Sequence, residues 1–274
     1  MAVITISRMV GCFGDEIAEK LSRKLGYKLF DKNQMHERVS RYATDFSKEF
    51  GSIEKESQPG FFERYIFDNK VYADLIYALI FDIASEDNVI IKGRGGHFVL
   101  GDQPHVLKLR FFASEETRIK RVKTSLSIDS EAAEKLVRNK DTDRINFIHY
   151  VFNENVLKPD WYDLLINTDH LDFDSVVDLL VRQVRSFEKK YPATKRTINH
   201  LKRLALSKHV EATIQKEIPD ALEIEARTAP NGTVTISGQV SNEGEKSGAE
   251  KYAGRVKGVK SIINELYVSR MFGI

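Results

Sequence analysis

Short apolar runs alternate with longer stretches of helical spacing over the first two thirds of the chain. Val3-Ile4-Thr5-Ile6, Lys28-Leu29-Phe30, Val89-Ile90-Ile91, Val106 to Phe112 and Leu164-Leu165-Ile166 read as strands. Between them the spacing predicts helices over Asp15 to Leu25, Phe61 to Ser85, Glu115 to Thr124, Ser130 to Phe152 and Ser175 to Lys189. Gly26 stands where a helix C-terminus favours glycine, Ser114 suits an N-cap, and Asp172 or Asp174 caps the helix that carries Val176, Val177, Leu179 and Leu180. Strands alternating with helices predict an α/β fold, a parallel sheet with helices on both faces.

The rhythm changes after Glu188. Lys189, Lys190, Lys195, Arg196, Lys202, Arg203 and Lys208 pass without an acidic residue until Glu211, around Pro192. Beyond this joint the pattern predicts a helix near Val210 to Ile218, then two alternating strands about the Asn231-Gly232 turn, a helix over Gly244 to Lys257 and a last strand. The expected division is 1–190 for the α/β domain, 191–205 for a basic linker or helix, and 206–274 for a small α+β unit of αββαβ order. The joint places Ile198, Leu201, Leu204 and Ala205 on one helical face with its basic residues mostly elsewhere, which suits either anionic lipid or nucleic acid, or a solvated connecting helix whose apolar edge packs on one domain.

Composition narrows this little. With 42 Lys and Arg against 40 Asp and Glu the net charge is +2, so no nucleic-acid partner is expected. The single cysteine, Cys12, excludes an internal disulfide framework and a Cys-rich zinc site, and the seven histidines show no metal-ligand spacing. No run is long enough to span a bilayer and no basic segment precedes an apolar one at the start, so a cytoplasmic protein is expected.

The candidate chemistry lies in VITISRMVGCFGDEIAEKL, Val3 to Leu21. A loop between strand and helix offers unpaired N–H groups and the positive end of a helix dipole to an anionic phosphate, and Gly11 and Gly14 allow close approach. A standard phosphate loop follows its last glycine with lysine, but this chain reads Gly14-Asp15-Glu16. Asp15 would place negative charge near a phosphate unless a magnesium ion or an arginine lies between them. The stretch alone is read equally well as an ordinary strand-to-helix turn, with Asp15 and Glu16 stabilising the helix start.

Five segments in order, SRMVGCFGDEIAEKLSRKLGYKLFDK, VIIKGRGGHFVL, LKLRFFASEETRIKRV, KDTDRINFIHYVFN and WYDLLINTDHLDFDSVVDLL, resemble the cytidylate kinase-like family over about residues 1–188. The resemblance implies a P-loop kinase-like fold with an arginine-bearing lid, ATP and Mg2+ as cofactors, and phosphoryl transfer to a nucleoside monophosphate or similar small acceptor. Carried over by residue, it implies that Arg8, Gly11 and Gly14, with Cys12, Phe13, Asp15 and Glu16 in the same loop, surround the donor phosphates, and that Ser7 lies close to magnesium; no protein metal cluster is expected. Asp31 falls at an acidic position of the monophosphate site. The arginine usual shortly after it is replaced by Glu37, leaving Arg38 and Arg41 as candidates. Arg94 matches the substrate arginine of a Gly-Arg-Asp motif whose aspartate is Gly95 here. Arg118, Arg121 and Arg144 match arginines that close over the phosphates; read without the family, they are helix residues paired with nearby acids.

From about Leu206 to Arg270, VTISGQVSNEGEKSGAEKYAGRVKGVKSIINELYV resembles a BON domain, which implies an anionic membrane surface or small ligand as partner. Two other functions stay open: a nucleotide-binding regulator that has lost turnover, and a tethering protein acting through the BON domain.

Overall fold

The computed structural model describes residues 2–42, 69–101 and 103–269. They divide into two compact units, one within 1–64 and 86–194 and the other within 65–85 and 195–274.

The first unit is a five-stranded parallel sheet of β1 (Val3–Arg8), β2 (Lys28–Phe30), β3 (Val89–Lys92), β4 (Val106–Phe112) and β5 (Leu164–Asn167), in the order β2-β3-β1-β4-β5. Among the described residues its helices are α1 (Gly14–Leu25), α2 (Lys32–Tyr42), α4 (Gly96–Val99), α5 (Glu115–Leu126), α6 (Ser130–Phe152) and α7 (Phe173–Lys190); a further helix, α3 (Asn69–Ala84), lies in the second unit. The period of two in β1 and β4 puts Ile4, Ile6, Leu107, Leu109 and Phe111 on one face, where they pack with Ile17, Ala18 and Leu21 of α1 and Val176, Val177, Leu180 and Val184 of α7. Each of the Val, Leu, Ile and Phe side chains among them, fully buried, contributes on the order of 1.5–3 kcal/mol. Lys20 with Asp174 and Lys24 with Asp178 pair α1 with α7 at the surface.

The caps follow the sequence reading. Gly26 ends α1 at φ 70 and Ser114 accepts the Thr117 amide at the start of α5; Asp129, a cap that the sequence reading did not name, accepts the Ala132 amide at the start of α6. Of the two candidates before α7, Asp172 is the cap, accepting from the Ser175 amide. The expected helix over 61–85 is observed as α3, its first part lying outside the described residues; α2 and α4 are elements that the spacing did not announce. Because all strands run one way, the loops after β1, β3, β4 and β5 leave the sheet at one edge, and the candidate site forms there.

The second unit contains α3, α8 (Lys195–Glu217), β6 (Leu222–Thr228), β7 (Thr233–Val240), α9 (Glu243–Arg255), β8 (Ser261–Asn264) and β9 (Tyr267–Val268). β7 pairs antiparallel with β6 and parallel with β8 and β9, the expected αββαβ order with its last strand interrupted. The basic stretch expected as a linker or helix at 191–205 is, from Lys195, the first half of the 23-residue α8.

Polar side chains of α8 finish the sheet edge. The Glu211 carboxylate accepts the Ala226 amide at 2.9 Å and Ser207 Oγ the Thr228 amide at 3.0 Å, so these outward N–H groups of edge strand β6 are occupied. Lys208 Nζ bridges Glu211 and, at 2.9 Å, Asp74 Oδ1 of α3, and lies 5.6 Å from the Tyr77 ring centroid. This shared ammonium ties α3 to α8. Replacing Asp74 with Asn is expected to destabilise the second unit by about 1–3 kcal/mol, the value of a hydrogen bond to a charged group. In hydrogen exchange, amides of 69–84 should then gain exchange together with those of 195–217 and not with β1 or β3; exchange of α3 that tracks β3 would contradict this grouping.

Candidate functional site

The loop after β1 is held by side chains that donate to its carbonyls. Arg118 Nη1 binds the Val10 carbonyl at 3.2 Å, Arg121 Nη1 the Gly11 carbonyl at 3.4 Å, and Thr168 Oγ1 the Cys12 carbonyl at 3.1 Å. In a planar trans peptide the C=O and the next N–H point in opposite directions. Fixing these carbonyls therefore turns the amides of Gly11, Cys12 and Phe13 the other way, away from α5. The N-terminus of α1 begins there, with Phe13 in the N-cap position at φ 62 and no side-chain cap. Amides turned away from these donors at an uncapped helix start fit an anion.

The supports are themselves anchored. Arg118 is buried, donates also to the Ala113 carbonyl at 3.1 Å and pairs with Asp141 of α6. The other Asp141 oxygen accepts the Val10 amide at 3.0 Å. Arg121 reaches Thr168 through Oγ1 at 3.0 Å and its carbonyl at 2.7 Å, and its guanidinium lies 4.0 Å from the Phe13 ring centroid. Two of the three arginines expected over the phosphates, Arg118 and Arg121, thus lie on the carbonyl side of the loop. Arg144 donates to the Arg8 carbonyl at 3.2 Å.

Gly11 and Gly14 are required by close approach. A Cβ at Gly11, whose φ is 74, would come within 2.8 Å of the Arg118 carbonyl oxygen, and one at Gly14 within 2.6 Å of Arg8 Cβ.

Charge gathers around Asp15. Arg8 Nε and Nη2 both lie 3.1 Å from its Oδ1, and Lys92 Nζ at the end of β3 lies 2.9 Å from the same oxygen. Lys92 is 9% exposed and Asp15 44%, so the carboxylate sits over two cations. Burial raises the Asp15 pKa, but the Arg8 charge and the Lys92 hydrogen bond outweigh it and hold the carboxyl below its usual range. Asp31 Oδ2 is 3.9 Å from Lys92 Nζ, while its Oδ1 accepts the Asn33 amide at 2.8 Å at the start of α2.

Other expected site residues are engaged elsewhere. Ser7 Oγ accepts from Arg110 Nη1 at 2.9 Å in a buried cluster. Arg38 pairs with Glu86 at 2.7 Å, before the start of β3 and so at the sheet end opposite the loop. The Arg41 side chain lies outside the described residues. Arg94, at φ 54, rests 5.1 Å from the Phe147 ring centroid, and a Cβ at Gly95 would come within 2.2 Å of Phe152. Cys12 is buried, donates to the Met9 carbonyl at 3.0 Å, and has its pKa raised by that burial, which leaves it an unreactive thiol. Glu16 lies in the first turn of α1. Among the described residues no group of three His, Cys, Asp or Glu side chains is arranged to hold a metal ion.

Sequence reading missed Lys92, Asp141 and Thr168. Lys92 left a signal, since a lysine ending the apolar run Val89-Ile90-Ile91 has no place in a buried strand unless it meets charge at the sheet edge. Thr168 left none.

Residues 3–170 match the cytidylate kinase-like family and residues 206–270 match the BON domain. The chain is similar to a uronate isomerase of Corynebacterium glutamicum, 31% identical over 119 residues, which are 43% of this chain and 22% of that protein; it thus spans about a fifth of that curated relative. Among solved structures, an uncharacterized protein from Eubacterium ventriosum superposes with a TM-score of 0.50 at 18% identity, over 68% of this chain and 99% of its own. A shikimate kinase from Acinetobacter baumannii gives 0.40 at 14% identity, over 68% and 94%. A gluconokinase from Sinorhizobium meliloti gives 0.42 at 9%, over 69% and 95%. Among the described residues no helix is long and apolar enough to cross a membrane.

The buried groups beside β1 set a pH dependence. Burial, then the charges of Arg110 and Lys108, push the His97 pKa down to about 3, against about 6.5 in an unfolded chain. Between those values the unfolded chain binds a proton that the folded one refuses. Stability is expected to fall as pH drops through that window, by up to ~1.4 kcal/mol per unit, and burial of His105 acts with the same sign. Urea denaturation at about pH 7 and about pH 5 should show a smaller loss in His97→Gln than in the wild type; equal losses would remove His97 as the cause.

Proposed function

Since the chain belongs to the cytidylate kinase-like family, we propose that it transfers a phosphoryl group from ATP to a small anionic acceptor, for which nucleoside monophosphates are the class implied by the family. The observation that supports this most is Lys92. It brings an ammonium beside Arg8 to the loop from the neighbouring strand, where the loop's own sequence has Asp15 and Glu16 in place of a lysine. Phosphoryl transfer is chiefly positioning and stabilisation of charge on the transferring group, and it needs cations fixed at the loop more than it needs one particular residue to carry them.

In this reading the amides of Gly11, Cys12 and Phe13, the start of α1, Arg8 and Lys92 hold the donor phosphates. ATP would supply the phosphoryl group, and Mg2+ bound with it would neutralise charge on its phosphate oxygens. Asp15 and Asp31 are the carboxylates that flank Lys92 and would hold the ion, chiefly through water, as magnesium prefers. Asp15 must then exchange its pairing with Arg8 and Lys92 for contact with the ion. Arg118, Arg121, Thr168 and Asp141 act one step back, by keeping the peptides of the loop turned. The BON-matching unit would regulate the enzyme or tether it to an anionic surface or small ligand.

A second reading, nucleotide binding without turnover, is favoured by the same carboxylate, because Asp15 neutralises both loop cations from within. Purified protein with magnesium and ATP, incubated with a panel of nucleoside monophosphates and other small anions, separates the two. Under the kinase reading, acceptor-dependent ADP forms, and Lys92→Met lowers kcat/KM about 10²–10³-fold, the scale for loss of one charge-stabilising donor. Nucleotide bound without ADP would establish the second reading, with Asp15→Asn then binding nucleotide more tightly than wild type.

A further inference from the structure

The sheet face opposite the apolar core of the first unit carries a polar strip. Register pairs Thr5 with Lys108 and Ser7 with Arg110 on the two central strands, although parallel sheets are ordinarily apolar on both faces. Arg110 is 7% exposed. Its Nη1 donates to Ser7 Oγ at 2.9 Å and to the Tyr162 hydroxyl at 3.3 Å, and its guanidinium lies 5.4 Å from the Tyr162 ring centroid. The Tyr162 hydroxyl donates to the Val156 carbonyl at 2.8 Å and stands 3.1 Å from His97 Nε2. Among the described residues no carboxylate pairs with Arg110.

A guanidinium cannot shed its proton, and a buried charge met only by neutral groups is costly unless an anion completes it. His97, held neutral, adds no charge of its own. Beside the cluster Trp161 packs edge-on against Phe98, its ring centroid 4.7 Å away, and its buried indole N–H has no partner. Arg110 is thus a buried cation with hydroxyls around it and, among the described residues, no counter-ion.

We infer that Arg110, with the hydroxyl of Ser7, binds the carboxylate of a small molecule. Lys108, the other cation of the strip, is turned to the Gly101 carbonyl at 3.3 Å, so the cation that faces the Ser7 hydroxyl is Arg110, and it balances one negative charge. A phosphate monoester, carrying about −1.5 to −2 at neutral pH, would leave uncompensated charge in the same place. Ser7 directly precedes Arg8 on β1, so the carboxylate lies next to the phosphate loop. On the phosphoryl-transfer reading proposed above, that carboxylate belongs to the acceptor; the binding itself does not depend on that reading. A panel limited to nucleoside monophosphates would then miss the substrate.

The test uses the full chain and formate as probe. Thermal unfolding midpoints are measured in sodium formate, in sodium phosphate and in sodium chloride at matched ionic strength, for wild type, Arg110→Lys and Arg110→Met. Formate should raise the wild-type midpoint relative to chloride, and Arg110→Met should abolish that increment while the increment from magnesium and ATP persists. Arg110→Lys should keep part of it, since an ammonium keeps the charge and loses the fork. If Arg110→Met does not fold cooperatively, Ser7→Ala replaces it, with a reduced increment expected. No formate increment in wild type, or one unchanged in Arg110→Met, overturns the inference; a phosphate increment lost in Arg110→Met while formate is inert overturns the carboxylate assignment. Absence of ADP formation with the formate effect intact would defeat only the phosphoryl-transfer reading.

Discussion

The direction of three successive peptide planes governs the candidate site. Once Arg118, Arg121 and Thr168 have taken the carbonyls of Val10, Gly11 and Cys12, the following amides have no freedom to turn back. The elements around the loop serve this constraint: α5 supplies both arginines, the segment after β5 supplies the threonine, and Asp141 of α6 neutralises the buried guanidinium while holding the Val10 amide. Arginines that attract attention as phosphate ligands thus contribute through the backbone. On the reading proposed above, their replacement would disorder the loop without removing a direct contact to the phosphates.

The loop's deficit and its remedy sit in different strands, and this separates what the sequence discloses from what it hides. The strands β1 to β5, the cap Ser114, a cap at Asp172 or Asp174, and the strand-to-helix turn were legible, because each depends on residues a few positions apart. Gly14-Asp15-Glu16 made the absence of a lysine equally plain. That Lys92 meets Asp15 was not, since it follows from β3 lying beside β1, a fact of sheet order that local spacing does not encode. The same holds for Arg118, whose partner Asp141 lies on another helix.

Long-range polar pairing also decides the membership of α3. Its apolar residues, Val71, Leu75, Ile76, Leu79, Ile80 and Ile83, would suit any helix against a sheet. What distinguishes it is Asp74, which shares Lys208 with Glu211, the carboxylate that also occupies an edge amide of β6. A short chain of charged contacts thereby runs from α3 through α8 to the sheet of the second unit.

That membership has a consequence for synthesis. The second unit takes one helix from the middle of the chain and the rest from its end, with about 110 residues between Ala84 and Lys195. At roughly 5–20 residues per second, α3 leaves the ribosome some 5–20 s before α8 can follow. For that interval a strongly apolar helix has no partner from its own unit. The newborn chain therefore carries a sticky surface whose shielding falls to chaperones or to transient contacts, and its lifetime is set by translation speed.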